Sequence, residues 1–356
     1  MKTQEIIKLR LINQLLLTST LQTPQEVVAW MGAMQAQDFN MAKWGIGNRI
    51  PGIKDSAIED SFNKGEILRT HILRPTWHFV SSGDIHWMLN LSHKQNKSAM
   101  RASDKVLGLL PDVITQTNNI IAKTLGKGIH LTRQEIGSAL QNNGIDCSDS
   151  RRLNHIMMNA EMDGVICSGV LKNKQHTYAL LEERTTQKIL LNEDESLARL
   201  ASKYFTSHGP ATLQDFMWWS ALPVRKAKLA IHLIENDLLR IDMDSKDYWF
   251  KGNTGFEANL KEIIHLLPAF DEYFVGYQSR HHIVADEHYP KVATKNGLFK
   301  PMLLKEGEII GKWKRISEQN EISAETEFFI SLNQKSLQNL QLAIKNYTLY
   351  HTNAEL

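Results

Sequence analysis

The stretch Leu131–Leu180 reads LTRQEIGSALQNNGIDCSDSRRLNHIMMNAEMDGVICSGVLKNKQHTYAL, and it decides the fold class. Thr132 stands three residues before Glu135, which is the capping-box signature of a helix start, and Asn143-Gly144 closes that helix. A second helix is predicted over 149–162, because apolar residues recur there on one side. The stretch therefore opens with two short helices joined by a turn.

Two predicted strands follow these helices. They cover 165–170 and 176–180, and the segment 171–175 between them has a basic tip. A long helix over 98–125 is predicted ahead of the stretch. Helices followed by a basic hairpin are the order of a winged helix, so we interpret this region as one.

The same order of elements occurs on the N-terminal side. Helical periodicity covers 6–16, a second helix opens at Thr23-Pro24, and a third helical run covers 55–63. An extended segment is predicted over 72–80, where β-branched and aromatic residues accumulate. We interpret this part as a first winged-helix unit.

A third copy of the order lies further along the chain. Helices are predicted over 195–206, from Thr212 and from Pro223. A hairpin with strands over 238–241 and 248–250 follows them. The sequence thus predicts three similar units in tandem.

The C-terminal region changes to short β-like runs that predict a small β-barrel or sandwich. The runs cover 274–277, 302–304, 308–313 and 327–331, and a helix over 336–347 follows. The fold class is therefore predicted to be α+β. The predicted domains are 1–95, 96–185 and 186–260 for the three winged helices and 261–356 for the barrel with its terminal helix.

Composition limits the class of protein. The chain has 356 residues, 42% of them hydrophobic and 22% charged, which excludes a disordered chain. Lys and Arg number 41 against 39 Asp and Glu, so any nucleic-acid surface must be local. Two cysteines, Cys147 and Cys167, cannot form a disulfide framework, which points to the cytoplasm.

No cofactor, metal or membrane partner is expected. The sequence contains neither a phosphate-binding glycine loop nor a C-x-x-C pair, and the histidines and acidic residues over 281–288 fit a polar loop better than a metal site. It also lacks a secretory leader and an apolar window of about 18 residues. We expect a cytoplasmic monomer without a nucleotide cofactor.

Basic and amide side chains on two predicted helices are candidates for DNA contact, because a winged helix places its last helix in a DNA groove. The candidates are Arg151, Arg152 and Asn154, with His155 beside them, and Arg225, Lys226 and Lys228. The alternative is that each helix merely exposes an ordinary solvated face. Three such units in one chain favour nucleic acid.

The string Gln35-Ala36-Gln37-Asp38 is the most unusual short pattern. Its two amides lie on one side only if the backbone there is extended. The alternative is a polar helix C-terminus. A second string places Arg74, Thr76 and His78 in alternation, which predicts one face of a strand, and we expect that face to border the Gln-x-Gln string.

Taken together, these strings resemble a known family, the AlkZ-like winged-helix DNA glycosylases of the azinomycin-resistance type. The matching strings are Val27–Arg49 with Gln35-Ala36-Gln37, Leu68-Arg69 with Arg74-Pro75-Thr76-Trp77-His78, Leu267–Tyr273 and Gly311-Lys312-Trp313. Their order and spacing cover nearly the whole chain. The resemblance implies three winged helices and a small β-barrel arranged around a concave DNA-binding cleft.

The resemblance also implies a reaction. Gln35 and Gln37 match a Gln-x-Gln motif that family members need to hydrolyse the N-glycosidic bond of N7-alkylated guanine, and some members unhook interstrand crosslinks. Asp38 is the adjacent carboxylate. One departure is that the family's Asp-Arg pair after the Leu-Pro string appears here as Gln278-Ser279-Arg280.

Glutamine cannot take up a proton at neutral pH, so neither amide is a general base or a nucleophile. N7-alkylated guanine is cationic and leaves as a neutral base, so amide oxygens need only orient water and face the developing positive charge. Asp38 either adds charge or caps a helix. Besides this glycosylase acting on alkylated or crosslinked double-stranded DNA, the alternatives are a non-catalytic DNA-binding regulator or lesion-recognition factor and a protein-interaction scaffold.

Overall fold

The computed structural model describes residues 3–185, 187–243, 245–252, 263–318 and 321–352. The chain groups into two compact units, and each is described by itself. The first unit, which is discontinuous, combines Met1–Glu59 with Leu197–Leu356, and the second is Asp60–Ser196.

The N-terminal part of the first unit is mostly helical. Its elements are α1 (Thr3–Asn13), α2 (Pro24–Met31), β1 (Met34–Gln35), α3 (Phe39–Gly47) and α4 (Asp55–Lys64), the last of which runs into the second unit. Thr23 caps α2, as the sequence predicted, and the cap is a capping box with Glu26. Gly32 ends the helix with a φ of +81°. Helix α3 was not predicted.

The second unit contains helices and two small groups of strands. Its elements are β2 (Ile67–His71), β3 (Trp77–Ser81), α5 (Ile85–Val106), α6 (Pro111–Leu125), β4 (Leu131–Thr132), α7 (Arg133–Asn142), α8 (Ser150–Met162), β5 (Ile166–Ser168), β6 (Thr177–Leu180) and α9 (Leu181–Arg184). Strands β4, β6 and β5 are neighbours in that order. Helices α7 and α8 and the hairpin β5–β6 therefore follow one another in the predicted order.

Two predictions for this unit were wrong. The single helix over 98–125 is two helices, because Pro111 cannot continue α5 and instead occupies the first turn of α6. Only the end of the extended segment predicted over 72–80 is a strand, β3, which pairs with β2 in a hairpin. The beginning of the segment is the turn of that hairpin, where Leu73 has a φ of 58°.

The core of the second unit lies under α6, α7 and α8. Fully buried apolar side chains from these helices and from β5 meet there, namely Ile121, Leu125, Ile136, Leu140, Ile156 and Ile166. At the far end of the hairpin, Asn173 and Lys174 both have positive φ, and Lys172 and Gln175 pair across them. The predicted basic tip is thus a two-residue turn.

The C-terminal part of the first unit continues with α10 (Glu193–Ser207), α11 (Leu213–Ser220), α12 (Val224–His232), a 3-10 turn (Glu235–Asp237), β7 (Leu239–Met243), β8 (Lys246–Phe250), β9 (Ile264–Leu267), α13 (Glu272–Val275), α14 (Tyr289–Val292), β10 (Met302–Lys305), β11 (Glu308–Glu318), β12 (Glu321–Phe328) and α15 (Gln334–His351). Strands β7 and β8 form the predicted hairpin, of which Asp244 lies outside the described residues.

The predicted barrel is not found in the described ranges. Strands β12, β11, β10 and β9 form one antiparallel sheet in linear order. The segment 274–277 was predicted as a strand, but its first two residues end the short helix α13 and the other two follow that helix. Asp271 caps the N-terminus of α13 by accepting a hydrogen bond from the Tyr273 N–H at 2.9 Å. The sequence also missed β9.

Candidate active site

The Gln-x-Gln string lies in the segment between α2 and α3. Gln35 ends β1 and is half-buried, Ala36 is fully buried, and Gln37 is exposed. Because α2 has already ended at Met31, the string is not the C-terminus of a helix, and that alternative was wrong. Gln35 is in the strand β1, whereas Gln37 lies in a bend before α3, so the placement of both amides on one side stays a prediction.

Asp38 begins the next helix. Its backbone is extended, and its carboxylate Oδ1 accepts a hydrogen bond from the Met41 N–H at 3.1 Å. Of the two roles open for Asp38, the structure shows the capping role.

A buried carboxylate lies directly behind Gln35. The Gln35 N–H donates to Glu272 Oε1 at 2.6 Å, and the Glu272 side chain is only 1% exposed. Trp219 Nε1–H donates to the other carboxylate oxygen, Oε2, at 3.1 Å. His208 Nε2 lies 3.4 Å from the same oxygen. Glu272 thus joins the backbone of the string to the core of the first unit.

Asp271, the residue before Glu272, anchors the chain just after the C-terminal end of α3. Arg49, two residues beyond α3, donates through Nη1 and Nη2 to the two oxygens of Asp271, each at 2.9 Å. Both side chains have no exposed surface. Arg49 also donates to the Gln14 carbonyl at 3.0 Å and to the Gly45 carbonyl at 2.7 Å. The dipeptide Asp271-Glu272 therefore holds the chain both before and after α3.

The surroundings of Glu272 are aromatic and dry. Tyr204 stacks on His208 with ring centroids 4.8 Å apart, and Trp219 lies 5.4 Å from His208. Burial lowers the pKa of His208, although its contact with Glu272 opposes that shift. A neutral imidazole beside a carboxylate leaves the negative charge of Glu272 to be stabilised mainly by hydrogen bonds.

The comparisons with known proteins agree with this geometry. The family model described as DNA glycosylase AlkZ-like matches residues 28–345, a range that contains both the Gln-x-Gln string and Asp271-Glu272. The chain belongs to the AlkZ-like DNA glycosylase family. The resemblance read from the short strings is thereby confirmed.

One relative and one solved structure, both from Streptomyces sahachiroi, are similar to this chain over most of their length. The interstrand DNA cross-link repair glycosylase of Streptomyces sahachiroi is 21% identical over 329 residues, which cover 89% of this chain and 88% of that protein. The solved structure of the Streptomyces sahachiroi DNA glycosylase AlkZ has a TM-score of 0.82 and 18% identity, with 98% of this chain and 96% of that one covered. The mixed α and β architecture is therefore that of an AlkZ-like glycosylase.

The second string of this AlkZ-like protein differs from its prediction. Arg74 and Thr76 lie in the turn between β2 and β3, and only His78 is in a strand, so the three do not alternate on one strand face. The turn nevertheless brings them together. His78 Nδ1 lies 2.9 Å from the Thr76 carbonyl, and His78 Nε2 lies 3.4 Å from Arg74 Nη2. His78 itself is fully buried.

A buried contact between a histidine and a carboxylate lies beside this turn. His71 Nδ1 contacts Glu161 Oε2, and both side chains are at most 5% exposed. Trp77 Nε1–H points to the other oxygen of Glu161 at 3.5 Å, and the guanidinium of Arg69 lies 4.1 Å from the Trp77 ring centroid. The hairpin of the second unit is thus fixed by charged groups as well as by apolar packing.

Helix α8 carries its candidate DNA contacts in three different settings. Arg151 is exposed and pairs with Asp149, and this hydrogen bond lowers the pKa of Asp149 to about 2. Arg152 donates to the Leu107 carbonyl at 2.8 Å, which ties α8 to the turn after α5. Asn154 accepts from Arg133. Arg151 is therefore the candidate that is open to a phosphate.

Helix α12 presents its candidates more uniformly. Arg225 and Lys228 are exposed, and Lys226 is half-buried. Ala227 and Ala230 pack inward, so the basic side chains occupy the outer side of the helix. This arrangement suits contact with a polyanion and equally suits a solvated face.

In the described ranges, no group of three or more histidine, cysteine, aspartate or glutamate side chains could hold a metal ion. Within the same ranges no helix combines the length and the apolar character needed to cross a bilayer.

Sequence reasoning missed the supporting residues Glu272 and Arg49. Both stand inside the strings that carry the family resemblance, but a buried carboxylate 237 positions from its partner leaves no periodic signal. A usable signal was the presence of adjacent charged residues in an apolar context, since Asp271-Glu272 lies between Leu266-Leu267 and Tyr273-Phe274-Val275.

Proposed function

We propose that this protein is a monofunctional DNA glycosylase that hydrolyses the N-glycosidic bond of cationic N7-alkylated purines in double-stranded DNA. The observation that carries this proposal is the Gln35-Ala36-Gln37 string, whose Gln35 N–H is anchored to a buried carboxylate in a member of the AlkZ-like family. Gln35 and Gln37 are assigned to the reaction, and Asp38 is assigned an auxiliary role beside its capping bond.

The proposed chemistry follows from the charge of the substrate. An N7-alkylated purine leaves as a neutral base, so no acid is needed to protonate it. The sugar becomes cationic as the bond breaks, and two amide oxygens can face that charge and orient a water molecule toward it. An unmodified purine would be a poor leaving group in such a site, which gives the enzyme its selectivity.

Crosslinked DNA is included in the proposed substrate range. A nitrogen-mustard crosslink joins two purines through N7, so each linked base carries the same activating charge. The similar protein of Streptomyces sahachiroi is named for the repair of interstrand cross-links, and this supports the extension.

DNA binding is proposed to be electrostatic and spread over three winged-helix units around a concave cleft. Exposed Arg151 on α8 and Arg225 and Lys228 on α12 supply phosphate contacts. The hairpin turn with Arg74, Thr76 and His78 is assigned to the damaged nucleotide. The protein is proposed to act as a monomer without a cofactor.

A glycosylase assay tests the proposal. Duplexes containing N7-methylguanine or a nitrogen-mustard crosslink are incubated with wild-type protein and with the Gln35→Ala/Gln37→Ala double variant, and released base is measured. We expect the wild type to release base about 100-fold or more faster than the double variant. Equal release by both proteins would place the reaction elsewhere, and no release by either, with tight DNA binding, would favour a non-catalytic DNA-binding protein.

A further inference from the structure

The carboxylate of Glu272 is buried and has donors or potential donors around it. Gln35 N–H lies at 2.6 Å, Trp219 Nε1–H at 3.1 Å and His208 Nε2 at 3.4 Å. A carboxylate that is 1% exposed is costly to bury unless its oxygens are hydrogen-bonded. Its shortest contact goes to the backbone of the Gln-x-Gln string.

We infer that Glu272 is a positioning residue of the active site, which fixes the peptide of Gln35 and thereby the direction of the Gln35 and Gln37 amides. The inference rests on the proposed role of those amides. Glu272 does not touch the substrate in this assignment. It acts through the N–H of Gln35.

The string has little secondary structure of its own. Strand β1 has only two residues, and Gln37 is exposed. A charge-assisted hydrogen bond from a backbone N–H to a buried carboxylate is about twice as strong as a neutral one, so it can help to hold a short segment in one conformation. Dipolar stabilisation of a cation depends on that preorganisation.

Glu272 is itself held firmly. Its neighbour Asp271 binds Arg49 through two hydrogen bonds of 2.9 Å, and the Glu272 carbonyl accepts from Gln14 Nε2 at 3.3 Å. The start of α13 therefore cannot move without breaking a fully buried ion pair. A displacement of about 1 Å at a reacting group can cost on the order of 100-fold in rate, so this anchoring bears on turnover.

Two substitutions separate the role in positioning from a role in folding alone. Glu272→Leu removes the acceptor, and Glu272→Gln keeps an amide oxygen that can accept from Gln35. We expect Glu272→Leu to lower kcat for N7-methylguanine release by about 10-fold or more, with KM nearly unchanged. Glu272→Gln should recover most of that loss. Equal kcat values for the wild type and a folded Glu272→Leu protein would overturn the inference.

A double-mutant cycle tests whether Glu272 acts through the string. In the Gln35→Ala/Gln37→Ala background, Glu272→Leu should have no further effect, because there is no longer an amide pair to position. If Glu272→Leu lowered kcat by the same factor in this background as in the wild type, the inference would be overturned. If the wild type releases no base at all, the proposed function fails first, and this outcome is distinguishable from the others.

The amide resonance of Gln35 provides a readout independent of activity. In ¹⁵N-labelled full-length protein, a short bond to a carboxylate shifts this proton downfield and slows its exchange. We expect Glu272→Leu, or Glu272→Asp if the leucine variant does not fold, to move the resonance upfield and speed exchange. An unchanged Gln35 resonance in a folded variant would contradict the inference.

Discussion

Arg49 and Asp271 form a fully buried, bidentate ion pair between residues 222 positions apart in the chain. The pair connects the end of α3 to the start of α13, and both belong to the first unit. Because α3 follows directly on Gln37 and Asp38, the ion pair also determines where the proposed catalytic string lies. Loss of this ion pair should therefore lower both the stability and the activity of the protein.

Asp271→Ala should lower the free energy of unfolding by about 3–5 kcal/mol, since it leaves the Arg49 guanidinium buried without its counterion. Chemical denaturation would measure this. The matched control is Arg240→Ala, which removes the Arg240–Asp247 pair, where the arginine side chain is 65% exposed. That change should cost less than about 1 kcal/mol. Similar losses in both variants would contradict the expectation.

Gln37→Ala should reduce release of N7-methylguanine by about 100-fold or more, the scale of losing one preorganised polar contact, while DNA affinity stays nearly intact. Gln37→Asp or Gln37→Glu should retain activity, because a carboxylate oxygen can also face the cationic sugar. Gln37 is exposed, so folding should be unaffected. Asn40→Ala, at a neighbouring exposed position, is the control that should keep full activity.

His78→Ala should lower the free energy of unfolding by about 1–3 kcal/mol, because the buried ring bonds to Thr76 and contacts Arg74 within the turn. In the same turn, the Thr76 hydroxyl has no hydrogen-bond partner among the described residues. Thr76→Val should accordingly leave stability unchanged. Thermal melts would compare the two, and a greater loss for Thr76→Val would show that the histidine does not support the turn.

Arg151→Ala should weaken binding to duplexes of any sequence and reduce the slope of log affinity against log salt by about 1, as expected for a phosphate contact. Arg152→Ala should instead affect stability, because its guanidinium holds the Leu107 carbonyl. Binding titrations at several salt concentrations and thermal melts separate the two outcomes. If Arg151→Ala binds as tightly as the wild type at low salt, α8 is not part of the interface.

Stability should fall as the pH is lowered from about 6.5 to about 4, in part because of His265. Burial lowers the pKa of His265 from 6.5 to about 4. Above pH 6.5 the His265 side chain is neutral in both the folded and the unfolded state. Between pH 6.5 and about 4 the unfolded chain binds a proton at His265 and the folded protein does not, so protonation favours unfolding. His265→Leu should make unfolding less dependent on pH in this window. An identical pH profile would contradict the assignment.

The sequence was sufficient for features that depend on neighbouring residues. The helix starts predicted at Thr23, Thr132 and Thr212 are all present, because each involves only one turn of chain, and each forms a capping box in the structure. The pattern at Gln35 left a helix C-terminus and an extended segment open, and the structure places Gln35 in a strand.

The features that the sequence did not predict correctly depend on contacts between distant residues or on short apolar runs that suit more than one secondary structure. The apolar run Phe274-Val275 suits a strand or a helix equally, and the cap by Asp271 decides for the helix. Helix α3 contains Gly45 and Gly47, which lower helix propensity, yet Trp44 and Ile46 are buried and the packing prevails. Glu272 and Arg49 could not be assigned because their partners are more than 200 residues away.

The discontinuous first unit has a consequence for synthesis on the ribosome. Asp60–Ser196 is continuous, so it can fold as soon as it emerges. The N-terminal segment up to Glu59 must wait until Leu197–Leu356 has been made, and the synthesis of all residues after Glu59 at 5–20 residues per second takes about 15–60 s. During that interval the apolar sides of α1, α2 and α3 have no permanent partner. The nascent chain should therefore need protection by chaperones before it can repair DNA.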